Sequence, residues 1–186
     1  MSKNQTKARL RTLISEKSLL HGKTLFTLAS GKTSNYYFNM KATTFDPEGA
    51  TLIADLVLDA LESFDIQNVG GLEMGAVPIA TCVSMRSFER DRPLPGFFVR
   101  KEAKGHGTQA RIDPPLLPGA RVAIVEDVTT TGASALKAAE ALRTAGCEVV
   151  VVVSLVDRLE GAAAAFAKQN LRFVALLTAD EFTVTD

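Results

Sequence analysis

The segment Val122-Ala-Ile-Val-Glu-Asp-Val-Thr-Thr-Thr-Gly-Ala-Ser134 constrains this chain more than any other stretch. Its first four residues are apolar without alternation, which fits a strand of a parallel sheet covered on both faces. Helical spacing starts near Ala133 and runs through Leu136, Ala139, Ala141 and Leu142 to Gly146, a natural C-terminal stop. In an open α/β sheet, ligands sit beyond the carboxyl ends of the strands, where helix N-termini present free N–H groups to anions. Thr129 to Gly132 would form such a cradle, Gly132 allowing close backbone approach and the threonine hydroxyls adding donors. Glu126 and Asp127 are poor phosphate ligands and better suited to ribose hydroxyls or a hydrated Mg²⁺. A phosphate and a diol together suggest a phosphoribosyl group.

The other phosphate motifs do not fit. Gly31-Lys32-Thr33 lacks the upstream glycine and the preceding buried strand of a P-loop, and the dinucleotide fingerprint is absent. At 186 residues the chain is expected to be one domain, residues 1–186. Lys+Arg and Asp+Glu both number 21, so nothing in the overall charge favours nucleic acid or an anionic membrane. The expected partners are small molecules or copies of the chain itself. Met1 to Arg11 is polar and basic, with no signal-peptide core, and no apolar run reaches bilayer length, so a cytoplasmic location is expected. Cys82 and Cys147 lack metal-ligand spacing, with only His21 and His106 as imidazole partners, and read as reduced core thiols.

Lys7 to Leu20 has helical spacing, and Leu25 to Ala29 and Tyr36 to Met40 read as short strands around the turn-rich Ser30-Gly-Lys-Thr-Ser34. Asp46-Pro47 has the form of an N-cap followed by proline at the first helical position, opening a helix through Leu61. Val69 to Leu72, Phe97 to Arg100, Val149 to Val156 and Leu171 to Leu177 are further strands, separated by helical segments at Val77 to Phe88 and Gly161 to Lys168. This alternation predicts an α/β fold, a doubly wound, mainly parallel sheet flanked by helices. Residues 1–45 break the rhythm, as a small N-terminal hood over the core of residues 46–186 would.

Between Val99 and the Val122 strand runs Arg100-Lys-Glu-Ala-Lys-Gly-His-Gly-Thr-Gln-Ala-Arg111. A connection this long is uncommon in a compact domain, and it carries Arg100, Lys101, Lys104, His106 and Arg111 among glycines. It reads as a mobile loop over about residues 100–113. Such a loop can clamp an anionic leaving group and exclude water, although charge runs are as often solvated surface.

Taken whole, the string from Val122 to Ser134 resembles the phosphoribosyl pyrophosphate (PRPP) motif of the type I phosphoribosyltransferases. Val99-Arg-Lys-Glu-Ala-Lys-Gly-His-Gly107 is similar to the catalytic loop of orotate phosphoribosyltransferases, Ser30-Gly-Lys-Thr-Ser-Asn-Tyr-Tyr-Phe-Asn39 to their pyrimidine-holding segment, and Asp157-Arg158 to their Asp-Arg. Four ordered motifs thus cover most of the chain. Three departures stand out. Ala29 and Gly75 occupy positions where some members have lysines, leaving Glu73, the backbone of residues 74–76 and metal to help cradle pyrophosphate. Glu126 replaces the first aspartate of the commonest form of the PRPP motif.

The resemblance implies Mg²⁺-dependent transfer of a phosphoribosyl group from PRPP to N1 of orotate. Lys104, His106 and Asp127 would be catalytic. PRPP would be held by Arg100, Lys101, Lys104, His106, Glu126, Asp127, Val128, Thr129, Thr130, Thr131, Gly132, Ala133 and Ser134. Orotate would meet Tyr37, Phe38, Thr130 and Arg158, the arginine fork matching a carboxylate or carbonyl; Tyr37 and Phe38 could equally be plain hairpin core. Mg²⁺ is the implied cofactor, held by PRPP and water near Glu126 and Asp127, with no direct protein ligand. Lys41 is either a further contact or an exposed lysine. A homodimer is implied too, each cationic loop reaching the neighbour's site. A purine phosphoribosyltransferase would need an apolar slot in place of Arg158. A non-catalytic PRPP-sensing regulator would keep the acidic-threonine motif but has no leaving group for the cationic loop to stabilise.

Overall fold

The computed structural model describes residues 1–27, 33–102 and 111–182. Helix α1 (Lys3–Lys17) starts at a capping box in which the Ser2 hydroxyl accepts from the Gln5 N–H while the Gln5 side chain accepts from the Ser2 N–H. An antiparallel hairpin follows, β1 (Leu19–Thr27) and β2 (Thr33–Phe38), and then the short helix α2 (Lys41–Thr44). The hairpin begins earlier than the sequence pattern suggests, because Leu19 already pairs with Phe38. Part of the expected first strand, residues 28 and 29, lies outside the described residues.

Helix α3 (Pro47–Leu61) opens as its sequence requires, with Asp46 Oδ1 accepting the Gly49 N–H at 2.9 Å and proline in the first turn. The core elements are then β3 (Asn68–Leu72), α4 (Ala76–Glu89), β4 (Gly96–Val99), β5 (Ile112–Asp113), β6 (Arg121–Thr129), α5 (Ala133–Thr144), β7 (Glu148–Asp157), α6 (Ala162–Lys168) and β8 (Arg172–Thr178). They form one six-stranded sheet in the order β5-β4-β3-β6-β7-β8, parallel except at β4–β5.

Strand β6 is buried on both faces. Ala123 and Val125 join the core cluster that includes residues of α1, α3 and α4, while Val122 and Ile124 join the cluster that includes residues of α5 and α6. That is why the run shows no alternation. The ladder with β7 carries β6 on past the apolar run, with Glu126 opposite Ser154 and Thr129 opposite Asp157. The acidic pair therefore sits on the strand itself, where the sequence pattern ends it at Val125.

Chain order sets the crevice. From β3 the chain moves to β4 on one side, then returns to β6 on the other, so the connections diverge at the carboxyl ends of β3 and β6. Such a switch point is where open α/β sheets bind ligands. Gly132 (φ +82°) makes the turn from β6 into α5, and a Cβ there would lie 2.8 Å from the Phe166 ring. Phe166, fully buried in α6 and 4.9 Å from the Phe173 ring, thus supports that turn from beneath. Phe166→Ala is expected to lower stability by about 3 to 5 kcal/mol, read as a lower urea midpoint at unchanged slope, and Phe166→Leu should recover most of the loss.

Candidate active site

At the carboxyl end of β6 lies a cavity of about 650 Å³, walled by Leu72, Lys101, Glu102, Glu126, residues 128–134 and Lys137. Its floor is the turn 129–132, which delivers the chain into the N-terminus of α5, where unpaired N–H groups favour an anion. The hydroxyl of Thr129 is already committed. It bonds to Ser154 Oγ at 2.8 Å, which in turn donates to the Val156 carbonyl, so Thr129 fixes the cradle to β7 while Thr130 and Thr131 keep partial exposure.

Glu126 is 7% exposed and its Oε2 has no hydrogen-bond partner among the described residues. Burial, with the neighbouring Asp127 charge adding to it and Lys101 opposing it, pushes its carboxyl up to about 8. At neutral pH the group is mainly protonated, so it can both donate to and accept from a hydroxyl. Burial also raises Asp127, opposed by the Val128 N–H that its Oδ1 accepts at 2.9 Å and by the charge of Lys41. Asp127 leans over the entrance of α4, where a Cβ on Gly75 would come within 2.6 Å of its carboxylate. A side chain at position 75 would have to displace it.

The root of the cationic loop is tied down. Arg100 and Arg111 meet through a backbone bond of 2.7 Å, and the Arg111 guanidinium also donates to the carbonyls of Arg100 and Lys101. Glu73 accepts the Lys101 N–H at 2.9 Å. Arg100 itself turns to Asp113 at 2.6 Å and lies over the Phe98 ring, at the β4–β5 edge and apart from the cavity walls.

A phosphoribosyl transferase domain model matches residues 44–169. An orotate phosphoribosyltransferase of Bradyrhizobium sp. (strain ORS 278) is 50% identical over 186 residues, covering 98% of this chain and all of that protein. The chain belongs to the orotate phosphoribosyltransferase family. Orotate phosphoribosyltransferase of Mycobacterium tuberculosis H37Rv in complex with Fe(III) dicitrate superposes at TM-score 0.85 with 37% identity, covering 96% of this chain and 99% of that one. The same enzyme in complex with PRPP gives 0.79 and 34%, over 95% and 98%.

In this phosphoribosyltransferase, Glu126, Lys101 and residues 128–134 come together at one cavity, with Asp127 beside it. Lys104 and His106, with Ser30, Gly31 and Lys32, lie outside the described residues. Arg158 lies beside the cradle, its backbone N–H bonded to the Thr129 carbonyl at 2.8 Å. The aromatics of β2 take different neighbours. Phe38 is buried against Phe182, with ring centres 5.1 Å apart, and Tyr37 stacks on Phe26; the ring that faces Arg158 is Tyr36. Alternation along β2 carried that signal, since Ser34, Tyr36 and Phe38 share one face. Lys137, also missed, shares a helix face with Ser134 three residues before it, and helical side chains lean toward the N-terminus.

Glu126 makes stability fall as pH rises. Its folded carboxyl holds a proton that the unfolded chain has lost, so between the ordinary glutamate value of 4.5 and about 8 the native state binds more protons. Glu126→Gln should therefore gain stability over the native chain at pH 9 but not at pH 4, as urea denaturation at the two pH values would register; equal differences at both would remove Glu126 as the source.

Proposed function

We infer that this chain transfers the phosphoribosyl group of PRPP to N1 of orotate, forming orotidine 5′-monophosphate and pyrophosphate. The observation that carries the reading is the junction of an anion cradle at the start of α5 with the carboxyl pair Glu126 and Asp127, on a chain half identical to an orotate phosphoribosyltransferase over nearly its whole length. The cradle suits the 5′-phosphate and the carboxyl pair suits the ribose hydroxyls.

In the reaction the bond from the anomeric carbon to the pyrophosphate oxygen breaks as the bond to N1 forms. Positive charge grows on the sugar and negative charge on the pyrophosphate, so catalysis is mainly electrostatic. Asp127, an ionisable group beside the ribose position, offsets the first; Lys101, Lys104 and His106 offset the second, with Arg100 at the loop's root. Mg²⁺ bound with PRPP would add charge neutralisation at the pyrophosphate. An ion carried in with PRPP would lie near the adjacent carboxyls of Glu126 and Asp127, the buried Oε2 of Glu126 having no hydrogen-bond partner among the described residues. Lys41 lies close enough to Asp127 to favour its ionised form, and Gly75, where some relatives carry a lysine, leaves room for that carboxylate. The active unit is a homodimer with loops exchanged between subunits, working in the cytoplasm. Among the described residues no helix is long and apolar enough to cross a membrane.

Incubation with PRPP, Mg²⁺ and each of orotate, uracil, adenine and hypoxanthine should release pyrophosphate with orotate, and Asp127→Asn should nearly abolish release while the protein stays folded. Turnover of a purine in preference to orotate would overturn the assignment. For the dimer, Lys104→Ala subunits are mixed with Asp127→Ala subunits after dissociation and reassociation. Loops acting in trans give each mixed dimer one intact site; random pairing makes about half the dimers mixed, so roughly a quarter of all sites should recover. Activity no higher than the sum of the two variants would exclude exchanged loops.

A further inference from the structure

The Arg158 side chain is 4% exposed, and a buried guanidinium is costly unless its donors are met. Three neighbours meet it. Nε donates to Glu160 Oε1 at 2.7 Å, Nη2 donates to Ser34 Oγ at 3.1 Å, and the guanidinium carbon stands 4.2 Å from the centre of the Tyr36 ring. Glu160 belongs to the turn between β7 and α6, two residues beyond Arg158. Ser34 and Tyr36 belong to β2, so these contacts join the N-terminal hairpin to the core across more than a hundred residues of sequence.

A guanidinium has five N–H donors in one plane. Glu160 and Ser34 take one each along the Nε–Nη2 side, and the Tyr36 ring covers a face, which fixes both the tilt and the rotation of that plane. Among the described residues the Nη1 side has no hydrogen-bond partner, which leaves it as the edge that can meet a planar acceptor. We propose that Glu160, Ser34 and Tyr36 are positioning residues for the pyrimidine: they set the plane of Arg158 so that its Nη1 edge addresses the base, and the same contacts hold the hairpin over the site. This rests on reading Arg158 as the base contact. Glu160 also balances the charge of Arg158, so that a guanidinium can be buried without its pyrimidine partner. Without Glu160, the side chain would have one charge-assisted bond fewer and more freedom to turn toward water. PRPP, held by the β6–α5 cradle, depends on none of these three residues.

The test is steady-state kinetics of the full chain with both substrates varied, for Glu160→Ala, Tyr36→Leu, Tyr36→Phe and Arg158→Ala. Glu160→Ala and Tyr36→Leu should raise the KM for orotate roughly tenfold, the usual effect of losing one charge-assisted contact, with the KM for PRPP changed less than about twofold. Tyr36→Phe keeps the ring over the guanidinium and should stay near the native value. In an Arg158→Ala background, adding Glu160→Ala should raise the orotate KM no further, because the group it positions is gone. Should Glu160→Ala or Tyr36→Leu fail to fold, Ser34→Ala and Glu160→Gln are held to the same selective rise in orotate KM. Equal rises for both substrates, no rise, or independent effects in the double variant would overturn the positioning role while leaving Arg158→Ala to report on the base contact. An unchanged orotate KM in Arg158→Ala would instead remove the base-pocket reading itself, and the positioning role with it.

Discussion

Everything at the site hangs on β6 being hydrogen-bonded to β3 on one side and β7 on the other. A central parallel strand cannot shift register without breaking two ladders and exchanging the side chains that its two faces bury. Glu126 to Thr129 inherit that rigidity, since the pairing with β7 continues as far as Thr129. The cradle is anchored further by the Thr129 to Ser154 bond and by Phe166 beneath Gly132. A binding site is only as well placed as the groups that support it, and here the support is the sheet itself.

The electrostatics follow from the same placement. Putting a carboxyl at the buried end of a strand makes its charged form costly, and Glu126 accordingly holds its proton near neutrality. Asp127, next in the strand, points the other way and keeps partial exposure; burial raises its carboxyl too, but there the Val128 N–H and Lys41 oppose the shift. Two adjacent carboxyls thus differ in environment, one suited to exchanging hydrogen bonds with a sugar hydroxyl and the other to carrying charge beside a developing cation. The strand's alternation, which sends neighbours to opposite faces, is what separates them.

Ion pairs elsewhere are of another kind. Arg86 of α4 and Arg90, just past its end, pair with Asp55 and Asp59 of α3 at a solvent-facing seam, where such pairs contribute little to stability. Arg158 differs because it is buried and joins segments remote in sequence. Desolvation makes its geometry exacting, and that is the property a recognition site requires.

The sequence by itself determined the α/β class, the parallel sheet, the cradle after β6 and the N-cap at Asp46, because each is a local pattern: an unalternating apolar run, a glycine at a turn, a carboxylate before a proline. It also singled out the Asp157-Arg158 pair by its order along the chain. Tertiary structure alone decided that β6 extends through the acidic pair, that Ile112 and Asp113 join the sheet edge, and that Tyr36 rather than Tyr37 or Phe38 faces Arg158. It alone decided, too, that the Thr129 hydroxyl is spent on Ser154. Each of these depends on a partner distant in sequence, and a periodic pattern records which face a residue occupies without recording what stands opposite.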